Sequence, residues 1–145
     1  MSQTLSSILT TLKSFATDHY VISDFYSHYY PSSEHDNNYP KMVVEYQNAE
    51  LKRGSRTITF SISFLDLMNK AKTNDNEISS DMLILCDDFF RKFYESNTNE
   101  ADFHIEENIK IKKILQSNKD NAIGWTFDIN IETKRSLKEK DVPLA

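Results

Sequence analysis

The chain has 145 residues, a net charge of −5 and a pI near 5.3, with 39% hydrophobic and 12% aromatic residues. That length fits one domain with a core large enough to fold without metals or disulfides. Two glycines exclude Gly-rich phosphate loops, one cysteine excludes an intramolecular disulfide, and the acidic balance argues against tight binding to duplex nucleic acid.

Residues 2–17 place Leu5, Ile8, Leu9, Leu12 and Phe15 at helical spacing, which predicts an amphipathic helix. No basic stretch and apolar run open the chain, so no signal peptide is expected, and no apolar run reaches the length of a membrane span. Residues 18–39 carry Tyr20, Phe25, Tyr26, Tyr29, Tyr30 and Tyr39 among polar residues, and read as an aromatic segment outside regular structure. Ser32–Asn38 reads as a loop.

Pro40 opens a strand in which Met42, Val44 and Tyr46 face one way and Val43, Glu45 and Gln47 the other. A second strand covers 55–67, where Ile58, Phe60, Ile62 and Phe64 alternate with Thr57, Thr59, Ser61 and Ser63. Gly54 joins them, so 42–67 reads as a β-hairpin with a basic tip of Lys52, Arg53 and Arg56. Residues 69–76 read as a loop. Ser79-Ser80-Asp81 then supplies helix-start chemistry for a helix carrying Met82, Leu85, Cys86, Phe89, Phe90 and Phe93 and ending near Tyr94. Asn97-Thr98-Asn99 closes it.

The last third reads as strands around Phe103–Ile105, around Ile109–Leu115, and over Ile123–Ile131, where every odd position is apolar. Gly124 beside Trp125 implies a bulge or a close backbone approach. The predicted fold class is α+β: a mainly antiparallel sheet of about four to five strands with two helices on one face, in the order α-β-β-α-β-β-β. Residues 1–132 form one domain, and 133–145, with Lys134 and Arg135, form a charged tail, extended and mobile unless a partner holds it.

Chemistry is sparse. His19, His28, His35 and His104 show no metal-ligand spacing with each other or with Cys86, although His28 and His35 share one polar loop. Asp87-Asp88 point about 100° apart on a helix, and Glu106-Glu107 point to opposite faces of a strand or lie in a turn, so neither forms a carboxylate dyad. Asp66 suits local hydrogen bonding. Cys86 lies within an apolar helical pattern and reads as a buried small hydrophobe. No catalytic residue, cofactor or metal is expected. The features that remain are surfaces for association: Phe25, Tyr26, Tyr29 and Tyr30; the hairpin tip Lys52, Arg53 and Arg56; and Lys134 with Arg135. The rings either anchor an interface or cover an edge of the core, and the Ser/Thr strand face meets water or a neighbouring subunit.

The motif order resembles small bacteriophage tail-terminator and tail-completion proteins. The residues that carry the likeness are Tyr39-Pro40 followed by Met42-Val43-Val44, the strand from Ile58 ending in Asp66, the helix Ser80–Tyr94, and Ala122-Ile123-Gly124-Trp125 leading to Phe127, Ile129 and Ile131. The resemblance spans nearly the whole chain. It implies a non-enzymatic virion protein, assembled in the host cytoplasm, forming a six-fold or twelve-fold ring of itself at the tail end or head–tail junction. Its partners would be portal, connector or tail-tube proteins; DNA would only pass through the channel, and no membrane is involved. The alternatives are a monomeric or dimeric interaction module, adaptor-like or chaperone-like, and a small enzyme gathering His28, His35 or Cys86 with a carboxylate.

Overall fold

The computed structural model describes residues 5–27, 39–68, 73–96, 103–104, 109–117 and 122–134. Two helices, α1 (Leu5–Asp18) and α2 (Asp75–Ser96), combine with six strands: β1 (Asp24–Ser27), β2 (Lys41–Lys52), β3 (Ser55–Leu67), β4 (Phe103–His104), β5 (Lys112–Ser117) and β6 (Ala122–Lys134). The chain order is α-β-β-β-α-β-β-β, one strand more than the sequence pattern predicts. The sheet order is β1-β2-β3-β6-β4, with β5 also paired to β6.

The additional strand is β1. Phe25 and Tyr26 therefore lie in regular structure, against expectation, and β1 runs parallel to β2, so the sheet is mixed. A strand of four residues is too short to show an alternating pattern, and it forms here because Lys41–Val44 offer it a ready edge. The other pairings are antiparallel, and β3 and β6 pair without interruption from Ser55↔Lys134 to Leu67↔Ala122.

Register explains which side chains are buried. Met42, Phe64 and Trp125 share one face, as do Val44, Ile62 and Phe127, and then Tyr46, Phe60 and Ile129. Both helices cover this face. Ile8, Leu12 and Phe15 of α1 and Ile78, Met82, Leu85, Phe89 and Phe93 of α2 enter one core with Phe60, Phe64 and Phe127. Phe89 is the hub of the aromatic packing, with ring centroids 5.4 Å from Phe15, 4.5 Å from Phe93 and 5.4 Å from Phe127.

The second helix begins at Asp75, one turn before the serines that mark its start in the sequence. Asp75 and Glu77 put carboxylates in the first turn, where the helix dipole favours them. Asp75 also accepts hydrogen bonds from Ser79 Oγ and from Lys113 of β5. Lys113 holds the Asp75 carboxyl below its ordinary range, with help from Ser79. Trp125 donates its indole N–H to the Ser79 carbonyl at 2.8 Å. The start of α2 is thus fastened to two strands by contacts that no local pattern encodes.

Gly124 shows the close approach and not the bulge: its register with β3 is unbroken, while a Cβ there would overlap the Phe64 carbonyl oxygen. The register shifts fall elsewhere, at Tyr46/Asn48 in β2 and at Ile114/Ser117 in β5. Ile109–Ile111 precede β5 and do not form a strand of their own.

Candidate interaction surfaces

The sheet face away from the helices divides into two zones. One end is apolar: Val43, Leu65 and Ala122 are buried together, with Tyr39, Leu67 and Ile114 against them. Lys41 belongs to this end. It is 1% exposed, and its ammonium lies 4.3 Å from the Tyr39 ring centroid and 5.0 Å from that of Tyr26. Cation–π attraction strengthens when water is excluded, so this stack helps bind β1 to β2. Tyr26 is half-buried here, and Phe25, on the opposite face, packs against the main core.

The rest of the face is a polar ladder. Thr59 donates to Asn130 at 2.7 Å, Ser61 to Asp128 at 2.6 Å, and Ser63 to Thr126 at 2.9 Å. These bonds run straight across β3 and β6 because the pairs are directly opposed. A shallow depression of 620 Å³ lies over the ladder, with Glu45, Ser61, Lys110, Lys112, Thr126 and Asp128 among its lining. Its two lysines and two carboxylates balance, so it carries no strong field for one sign of ligand.

The basic tip is where the sequence places it. Gly54 closes the turn with φ 85°, a conformation that costs glycine little. Lys52 is 3.4 Å from Glu50 and 4.0 Å from Glu132, so part of its charge is answered locally. Arg53 is exposed; Arg56 and Gly54 are half-buried. Lys134 contributes its backbone to β6 opposite Ser55. The structure thus gathers the tip residues and the end of β6 at one end of the sheet, while Phe25 and Tyr26 lie along the β1 edge. Thr133 and Lys134, expected in the tail, are instead the last two residues of β6; Tyr29, Tyr30, Arg135 and the rest of the tail, and likewise His28 and His35, lie outside the described residues.

Sequence reasoning also missed a polar contact between the two helical segments. His19, just beyond α1, places Nε2 2.9 Å from Asp88 of α2, while its Nδ1 accepts the Val21 N–H at 3.3 Å. That pattern selects the Nε2–H tautomer of neutral histidine. Sixty-nine positions separate the partners, so no motif announces the pair. Cys86 is buried, and its thiol is pushed up to about 12, first by burial and then by the Asp87 charge. Among the described residues no three His, Cys, Asp or Glu side chains are grouped to hold a metal, and no helix is long and apolar enough to cross a membrane.

Asp66 accepts the Leu67 N–H at 2.8 Å, the local role its position suggests. Its carboxyl is raised above the ordinary range by burial, offset in part by that bond and supported by the nearby Asp81 charge. A raised folded value means that stability falls as pH climbs from the ordinary carboxyl range through the folded value, and that the ionised group is a cost at neutral pH. Asp66→Asn keeps the acceptor for Leu67 and removes the charge. Solvent screening of this half-exposed group holds the gain to about 0.5 kcal/mol. Melting curves should show the variant more stable than wild type at pH 7 and not at pH 3; an equal or lower melting temperature at pH 7 would contradict the assignment.

These elements define the class: an α+β protein whose mixed sheet carries both helices on one face and a polar ladder on the other. No protein-family model matches the chain, and no curated protein is significantly similar to it.

Proposed function

We propose that this chain is a non-enzymatic structural subunit of a bacteriophage virion, forming a ring at the head–tail junction or tail end. The ring joins portal or connector to tail and leaves a channel for DNA. One observation carries the reading: the sheet outgrows its helical cover. Gln47–Lys52 of β2 are exposed at each position, and the hairpin ends in Lys52, Arg53 and Arg56. A stiff hydrogen-bonded arm with charge at its end suits a subunit that must reach a neighbour or an adjoining ring. The motif order shared with tail-terminator and tail-completion proteins supports it, and an acidic chain suits a channel from which DNA must slip freely.

The test combines light scattering and negative-stain imaging of the purified protein, alone and with portal or tail-tube rings. A six-fold or twelve-fold ring with a central hole, formed alone or on either partner, is the expected result. A protein that neither forms a ring nor binds either partner ring overturns the reading. Arg53→Glu, at the exposed position of the tip, should then separate the roles of tip and body, weakening attachment while leaving the melting curve in place.

A further inference from the structure

Two surfaces at opposite ends of the protein complement each other in charge and in apolar content. The hairpin tip lies at the end of the sheet where Ser55 pairs with Lys134. The start of α2 is fastened by Lys113 and Trp125 toward the other end, where Leu67 pairs with Ala122. The 13 residues of β3 run from one end to the other, about 40 Å of extended chain.

At the tip, Leu51 is 63% exposed, and Arg53, two residues on, is exposed at the turn. Lys52 between them is engaged with Glu50 and Glu132. The tip therefore offers one apolar side chain and one cation, spaced by roughly 7 Å of strand. The outer face of α2 carries the converse. Met82, Leu85, Cys86 and Phe89 turn inward to the core, while Leu83 is 37% exposed and Ile84 54%. Asp81 stands exposed one turn before Ile84, and Asp87 one turn after it. Side chains three apart on a helix are about 5–6 Å from each other, close to the spacing of Leu51 and Arg53. From Asp75 to Asp88 the helix holds five carboxylates and no lysine or arginine. A cation brought to Leu83 and Ile84 is attracted there, and an acidic partner is repelled.

We infer that the hairpin tip of one subunit docks on α2 of a second copy, with Leu51 against Leu83 and Ile84 and Arg53 against Asp87. The length of the sheet keeps the two surfaces of one chain apart, so the contact forms only between copies and runs head to tail. Each subunit gives one tip and receives one. Contacts of this kind build a ring where the rotation closes and an open chain where it does not. The inference deepens the ring reading and rests on it for closure, while the contact itself rests on the tip and α2.

Disulfide trapping of the full chain, alone and with portal or tail-tube rings present, tests the contact. Leu51→Cys mixed with Ile84→Cys should give a disulfide dimer under mild oxidation. Either variant alone should stay unlinked, because a head-to-tail contact does not set a residue against its own counterpart. Cys86 is buried and does not compete. Both cysteines in one chain should give a ladder of linked copies. Adding Arg53→Glu or Asp87→Lys to that chain should each slow linking about fivefold, since attraction is exchanged for repulsion at an exposed pair. The two reversals together should restore it. Both positions are exposed, and an unchanged melting curve would show that the fold survives. A mixture that fails to link overturns the inference, as does a single variant that links to itself as readily as the mixture. So does a ladder indifferent to both reversals, or an Ile84→Cys variant that links only to a portal or tube protein. Rings seen by imaging without the mixed cross-link would sink this contact and leave the ring reading standing. A ladder that never closes into a ring would support the contact and sink the ring.

Discussion

Phe89→Ala will lower the stability of the folded protein by about 4 kcal/mol, in the range expected when a fully buried ring is cut back to a methyl group. Phe89 is 0% exposed and touches both layers of the fold: Phe15 of α1, Phe64 and Phe127 of the sheet, and Phe93 one turn further along α2. Its removal costs the transfer energy of the ring and leaves a void that Phe15, Phe64 and Phe127 cannot all move to fill, since each is held by its own element. Chemical denaturation should show the midpoint fall with little change in slope. A loss below about 1.5 kcal/mol would mean that α2 does not sit on the sheet as described. Tyr20→Ala is the internal control, because that ring is 96% exposed and stacks on the His19 ring at the surface; its effect should stay within about 0.5 kcal/mol.

Gly124→Ala is the second large effect, and its cause is the reverse. No group is lost. A methyl is forced into the backbone of β3, where it would overlap the Phe64 carbonyl oxygen and lie 2.8 Å from the carbonyl carbon. Neither atom belongs to a flexible side chain, so relief requires β3 and β6 to move apart where the central pairing is continuous. A destabilisation of about 3 kcal/mol is expected, at the upper end of the cost of overpacking. In a chain of this length that corresponds to a fall in Tm of roughly 10 °C. Hydrogen exchange should locate the damage: amides around Phe64, Leu65 and Trp125 should lose protection first. A variant that melts with wild type would place Gly124 away from β3.

The two sites differ in how well the sequence announces them. Phe89 is one of a run of apolar residues at helical spacing, and any reading of that run puts it in the core. Gly124 is marked as special by its place in a long apolar strand, but only the register distinguishes a bulge from a close approach. The same division runs through the candidate surfaces. Lys52, Arg53 and Arg56 stand at a hairpin tip because alternating strands flank Gly54, and that is readable directly. The His19–Asp88 pair and the Lys41 stack under Tyr26 and Tyr39 are not, since each needs elements distant in sequence to be placed first.

Residue order alone determined the periodicities, and through them both helices, the β2–β3 hairpin, the long strand β6, the buried state of Cys86 and the division of the sheet into an apolar and a polar face. These follow from side-chain spacing, which acts over one or two turns or along a single strand. Tertiary structure decided the rest. Segment 24–27 became a strand because the start of β2 was beside it, and α2 gained a turn because Lys113 and Trp125 reached its first residues. The mixed sheet follows from the first of these. Contacts of this kind join parts of the chain that local pattern cannot connect, because their free energy exists only once the neighbouring element is already in place.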